Sequence, residues 1–130
     1  MITGPQILLY NLRDDERTRR IRQYLNKTGI AFRTVTAPDF LQPLGYLFEI
    51  PGFERNPQFN LGGNFQDEML VLKDFSSEQL DQFLQFFKAN GIPSVRLKAI
   101  LTPINRHWNS LQLYEELTQE HKAMTNVKKL

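Results

Sequence analysis

Residues 69–108 read MLVLKDFSSEQLDQFLQFFKANGIPSVRLKAILTPINRHW, and the fold follows from how this stretch parses. Met69, Leu70, Val71 and Leu72 form a short unbroken apolar run, the pattern of a strand buried on both faces. Ser76 offers an N-cap oxygen, and Gln79 three residues later completes the spacing of a capping box. Leu80, Phe83, Leu84 and Phe87 then recur at helical spacing and give one wide apolar face. Gly91 stands where a helix C-terminus wants a left-handed residue, and Pro93 forbids continuation. Beyond it, Val95, Leu97 and Ala99 alternate with Ser94, Arg96 and Lys98, a period of two and hence a strand. Strand, helix, strand is a βαβ unit, whose strands run parallel.

The pattern occurs twice. Shifting residues 6–37 by 62 onto residues 68–99 without gaps gives six identities in thirty-two positions: Leu8, Glu16, Gln23, Gly29, Ile30 and Ala37. The alignment places Asp14 opposite Ser76 as helix cap, and Gly29-Ile30 opposite Gly91-Ile92. Gln6 to Leu12 and Ile30 to Val35 read as the strands of this first unit, although Phe32 and Val35 disagree in phase. Ile21, Tyr24 and Leu25 form the inward side of its helix. Asp14, Asp15 and Glu16 stand at the helix start, where the macrodipole favours negative charge. Arg13, Arg17, Arg19, Arg20 and Arg22 follow. They read either as a phosphate-facing patch or as a solvated face paired with the acids at i, i+3 and i+4. No aromatic interleaving accompanies them, and the solvated face is the preferred reading.

Between the units, Pro43 opens a short helical turn carrying Leu44, Leu47 and Phe48, weakened by Gly45. Residues 51–67, PGFERNPQFNLGGNFQD, show no period and read as a long loop, the segment expected to be most mobile. Phe53, Phe59 and Phe65 recur there every six residues, either pinning the loop or presenting apolar surface to a partner. Asn109 with Gln112 repeats the cap spacing for a last helix over residues 109–124, with Leu113, Tyr114, Leu117 and Met124 as its stripe. Residues 125–130 read as a frayed tail.

At 130 residues, with 41% hydrophobic and 23% charged side chains, this is the composition of one globular domain. Without cysteine there are no disulfides, thiolate ligands or thiol nucleophiles. There is no eighteen-residue apolar run and no signal-peptide pattern in MITGPQILLY, so neither a membrane span nor export is expected, and the cytoplasm is the expected compartment. A net charge of +2 does not call for nucleic acid as partner. No metal-ligand spacing, glycine-rich phosphate loop or nucleophile elbow is present, so no cofactor, metal or catalytic residue is assigned.

In parallel sheets ligands bind outside the carboxyl ends of the strands. That rule gathers Asn11, Leu12, Asp39, Lys73 and Asp74 with Thr102, Asn105, Arg106, His107 and Trp108 along one edge. Arg106 could supply charge to a small anion and Trp108 a platform to a planar ligand. Against this, Thr102 and Asn105 are turn formers and Trp108 could anchor the last helix. Asp39 and Asp74 could converge as an acid/base pair, and His107 could be a general base, but lone carboxylates and histidines in loops mostly serve structure.

RLKAILTPINRHW followed by LYEELTQEHKAM resembles a bacterial family of unknown function, domain of unknown function 3783. The similarity is clearest over residues 69–124. ILLYNL, ERTRRIR and PLGYL resemble the segment that precedes that domain in some members. Lys98, Thr102, Pro103, Asn105 and Trp108 look like family positions. The resemblance implies a small bacterial cytoplasmic protein and carries no known activity.

The expectation is therefore a single α/β domain over residues 1–130: two βαβ halves in one mostly parallel sheet of about four strands, plus a C-terminal helix. A ferredoxin-like α+β arrangement, with an antiparallel sheet and helices on one face, is the alternative. For function, a non-catalytic binding or regulatory module is preferred, binding a protein or self-associating through an edge strand or the phenylalanine loop. The alternative is a small enzyme or ligand sensor taking an anionic or planar small molecule at residues 102–108. Asn105, Arg106 and Trp108 converging on one pocket with Asp39 or Asp74 would favour the second reading.

Overall fold

A computed structural model describes the backbone of residues 4–128, with side chains described as far as His121. The strands are β1 (Gln6–Tyr10), β2 (Ala31–Val35), β3 (Met69–Lys73) and β4 (Leu97–Ile100). They form one sheet in the order β2-β1-β3-β4. β1 runs parallel to β2 and β3 parallel to β4, as two βαβ halves require. The two inner strands meet antiparallel, Gln6 opposite Lys73 and Tyr10 opposite Met69. The sheet is thus mixed, with two of its three pairings parallel. The strands of each half are neighbours, so the ferredoxin-like alternative, which interleaves them, is not adopted.

The central pairing has a consequence for the site. Because the halves point in opposite directions, the carboxyl ends of β1 and β2 lie at one rim and those of β3 and β4 at the other. The single shared edge expected from the sequence does not exist.

β1 and β3 have helices on both sides. Ile7, Leu9, Leu70 and Leu72 pack against Ile21 and Leu25 of α1 (Glu16–Lys27) and Phe83 and Phe87 of α3 (Ser77–Ala89). Leu8, Tyr10, Met69 and Val71 face the other way, onto Leu44 and Leu47 of α2 (Leu44–Leu47), Phe65 of the long loop and Leu113 of α4 (Ser110–Lys128). Continuous apolar runs arise because each successive side chain enters a different core. In β2 the phase conflict disappears for the same reason: Phe32 packs with the first core and Val35 belongs to the second.

The helix ends are built alike. Ser76 and Gln79 form the reciprocal capping box, worth about 1 kcal/mol. The first helix is capped by Asp15 rather than Asp14, its carboxylate accepting from the Thr18 N–H. Both helices close on a left-handed glycine, φ +74° at Gly29 and +61° at Gly91. The Ile30 N–H then reaches the Leu25 carbonyl and the Ile92 N–H the Phe87 carbonyl, each at 2.9 Å. After this cap the gapless repeat fails. β2 starts at Ala31, directly after its Gly-Ile pair, whereas β4 starts only at Leu97. The strand expected from Ser94 is shorter, and Val95 instead enters the α1/α3 core.

Residues 51–67 are tethered at several points, against the expectation of mobility. Gln42, buried, exchanges hydrogen bonds with the backbone of Asn56 at 2.9 and 2.7 Å. Asn60 donates to the carbonyls of Ala37 (2.7 Å) and Gly63 (2.6 Å). Phe65, 5% exposed, stacks on Phe40 and on Tyr114. Phe53 lies over Gly45, where an added Cβ would come within 2.6 Å of its ring. The glycine that weakens α2 as a helix is what lets the loop close on it.

α4 is capped as expected by Asn109 and Gln112. Its backbone remains helical to Lys128, past the point where a frayed tail was expected. The Met124 side chain and residues 129 and 130 lie outside the described residues. No helix among the described residues is long and apolar enough to cross a membrane.

Candidate functional site

The rim at the carboxyl ends of β1 and β2 is occupied by the protein itself. Asn11, left-handed at φ +60°, donates from Nδ2 to the carbonyls of Phe65 (2.9 Å) and Asp67 (3.0 Å). It tethers the long loop. Arg17 reaches Glu68 at 2.8 Å, and Arg96 reaches Asp67 at 3.0 Å. Asp39, at the end of the 3-10 turn Ala37–Asp39, pairs with Arg33 of β2 at 3.6 Å. Just inside this rim, the buried Tyr10 hydroxyl bonds Ser110 at 2.7 Å, and burial pushes its pKa well above the usual phenol value.

The opposite rim is open. A cleft of about 390 Å³ lies at the carboxyl ends of β3 and β4, walled by Lys73, Asp74, Leu101 and Thr102 and by the Glu49-Ile50-Pro51 turn after α2, with Arg106 lining it too. Glu49 and Asp74 are both left-handed, each at φ +59°. Glu49 closes α2 as the left-handed glycines close the longer helices, its own N–H reaching the Tyr46 carbonyl and the Ile50 N–H the Gly45 carbonyl, each at 2.9 Å. The Lys73 ammonium lies 2.7 Å from the Asp74 carboxylate and donates at 3.4 Å to the Gly4 carbonyl. Arg106 differs. Its Nε is shielded from solvent without a hydrogen-bond partner, and its guanidinium sits 6.0 Å from the Phe53 ring centroid.

The sequence-predicted cluster over residues 102–108 therefore splits. Thr102, Arg106 and Asp74 line the cleft. Asn105 turns inward: its side-chain Oδ1 accepts from the Thr102 N–H (2.8 Å), its backbone N–H donates to the Thr102 hydroxyl, and its Nδ2 donates to the Ile100 carbonyl (3.0 Å). His107 lies against the Phe53 ring. Trp108 packs on the α4 side, and its carbonyl accepts from the Leu44 N–H, joining α2 to the start of α4. Asp39 is on its own ion pair and does not meet Asp74.

Two features escaped sequence reading. Glu49 and Ile50 follow the short helical turn that Pro43 opens, and nothing in their identity says that the chain carries them to the β3 rim. The amide side chains of Gln42, Asn56 and Asn60 were visible as a polar, glycine-containing stretch, but their partners lie up to 23 residues away. Of the arginines of α1, Arg19 and Arg20 both pair with Glu16 on the exposed face, whereas Arg17 reaches Glu68 across the fold.

A further apolar groove, about 480 Å³, runs between β4 and α4 and is lined by Ile100, Ile104, Trp108 and Leu117, with Lys98, Glu116 and Glu120 along it. Lys98 folds back onto the Val95 carbonyl at 2.6 Å, and burial pushes its amine below the usual lysine value.

No curated protein and no solved structure matches the chain. The family model described as Domain of unknown function (DUF3783) matches residues 68–124, the span of β3, α3, β4, the cleft-lining turn and the larger part of α4. The match covers less than half of the chain's 130 residues, and over that span the chain is similar to that family.

Proposed function

We propose that the protein is a non-catalytic binding module that associates with a second copy of itself. The observation that carries this reading is the division of its exposed large apolar side chains into two complementary places. Phe59 and Leu61 protrude from the long loop, 80% and 95% exposed, while Asn60 between them is fixed by its bonds to Ala37 and Gly63. Ile100 and Ile104, 55% and 71% exposed, border the groove between β4 and α4. A held apolar pair and an apolar groove on one chain suit a two-fold contact in which each copy fills the other's groove. The stretch carrying Phe59 and Leu61, NPQFNLGGNFQ, has no charge, so nothing repels it from the Lys98, Glu116 and Glu120 border.

The non-catalytic part is supported by how the polar groups near residues 102–108 are used. Thr102 and Asn105 close their own turn, Asp39 is paired with Arg33, and His107 is packed on Phe53. The cysteine-free composition suits the cytoplasm, where we place it.

Light scattering across a dilution series tests the reading. The wild type is expected to run as a dimer, and both F59S/L61S and I104E as folded monomers with the circular dichroism spectrum of the wild type. A wild type that stays monomeric throughout, or variants that dimerise as it does, would sink it.

A further inference from the structure

We infer that the cleft at the β3 and β4 rim binds a zwitterionic ligand of the free amino acid class, its carboxylate on Arg106 and its ammonium on Glu49. The inference is independent of self-association, which uses other residues. It starts from what the cleft leaves unsatisfied. Of the charged groups lining it, Lys73 and Asp74 neutralise each other at 2.7 Å. Arg106 has no carboxylate within ion-pair distance among the described residues, and its shielded Nε lacks an acceptor. A desolvated guanidinium donor without a partner is costly, and a carboxylate is the planar acceptor that matches its fork.

Glu49 decides between classes of anion. It brings a second negative charge to the cleft besides Asp74, so the two cations are balanced by two carboxylates. A polyphosphate would meet those carboxylates and gain only one unpaired cation. A ligand with one carboxylate and a nearby ammonium meets one charge of each sign. Glu49 takes φ +59° as the residue that closes α2, where the Ile50 N–H reaches the Gly45 carbonyl at 2.9 Å, and no hydrogen bond among the described residues engages its carboxylate.

Size and polarity agree. About 390 Å³ is near the lower end of ligand pockets, and amino acids are small ligands. Ile50, Pro51, Leu101 and Pro103 supply an apolar wall for an aliphatic side chain.

The test is an NMR titration with L-leucine, N-acetyl-leucine, inorganic phosphate and ATP that follows the backbone amide signals of Glu49, Lys73, Asp74 and Thr102 in every variant and, in the wild type, the Arg106 Nε–H signal as well. Leucine is expected to give a saturable shift, and N-acetyl-leucine, which lacks the ammonium, to bind at least tenfold more weakly. R106Q should abolish leucine binding, R106K should weaken it about tenfold, and E49Q should erase the preference for leucine over its acetylated form. No response to leucine at millimolar concentration, tighter binding of phosphate or ATP, or undiminished binding by a folded R106Q would each overturn the inference.

Discussion

Among the described residues, each end of the sheet holds one arginine whose Nε is shielded from solvent without a hydrogen-bond partner, and they differ in whether a carboxylate stands beside the guanidinium. At the β1 rim Arg17 meets Glu68 at 2.8 Å, in a neighbourhood where Asn11 ties down Phe65 and Asp67. At the β3 rim Arg106 has the Phe53 ring beside it, no ion-pair partner among the described residues, and an open cleft before it. The two halves supply equivalent rims, since each ends two parallel strands at its own side of a mixed sheet. The long loop closes one of them. What it teaches is that a near-symmetric topology does not imply two equivalent sites: the connection between the halves decides which rim remains available.

If the closed rim is a structural seal, breaking it must cost stability. Phe65→Ala removes a ring stacked at 4.7 Å on Phe40 and 4.2 Å on Tyr114. It should lower the urea-unfolding free energy by about 3–5 kcal/mol. Asn11→Ala strands two loop carbonyls and leaves a β-carbon in the left-handed region. It should cost about 2–3 kcal/mol, of which Asn11→Gly recovers the backbone part, roughly 1 kcal/mol. The open rim should respond in the opposite sense. Glu49→Gly relieves strain at φ +59° without removing a contact, so urea denaturation should show a gain of about 0.5 kcal/mol. A loss there would mean that the Glu49 side chain supports the fold.

How far the sequence reached depends on the range of the interaction. Local chemistry was legible: the Ser76–Gln79 and Asn109–Gln112 boxes and the glycine caps at Gly29 and Gly91 stand where spacing put them. So was the βαβ pattern of each half, because apolar runs report burial on both faces. The direction in which the halves meet was not legible. It depends on the path of residues 38–68, of which 51–67 have no hydrophobic period, and which are held by hydrogen bonds from side-chain amides to distant carbonyls. That single unknown moved Asn11 and Asp39 away from Asp74 and Arg106, and it brought Glu49 in. Within residues 102–108 the residue types suggested a polar cluster, but Asn105 was satisfied by its own turn, and only geometry could say so.

The difference between the rims is read most directly from the urea midpoints of Arg17→Gln and Arg106→Gln, measured side by side. Removing Arg17 leaves the part-buried Glu68 unpaired and should cost about 0.5–1 kcal/mol. Removing Arg106 orphans no carboxylate, and its midpoint should coincide with that of the wild type. A drop for Arg106→Gln as large as that for Arg17→Gln would show that both arginines hold the fold together, and the β3 rim would then be no more a binding site than the β1 rim.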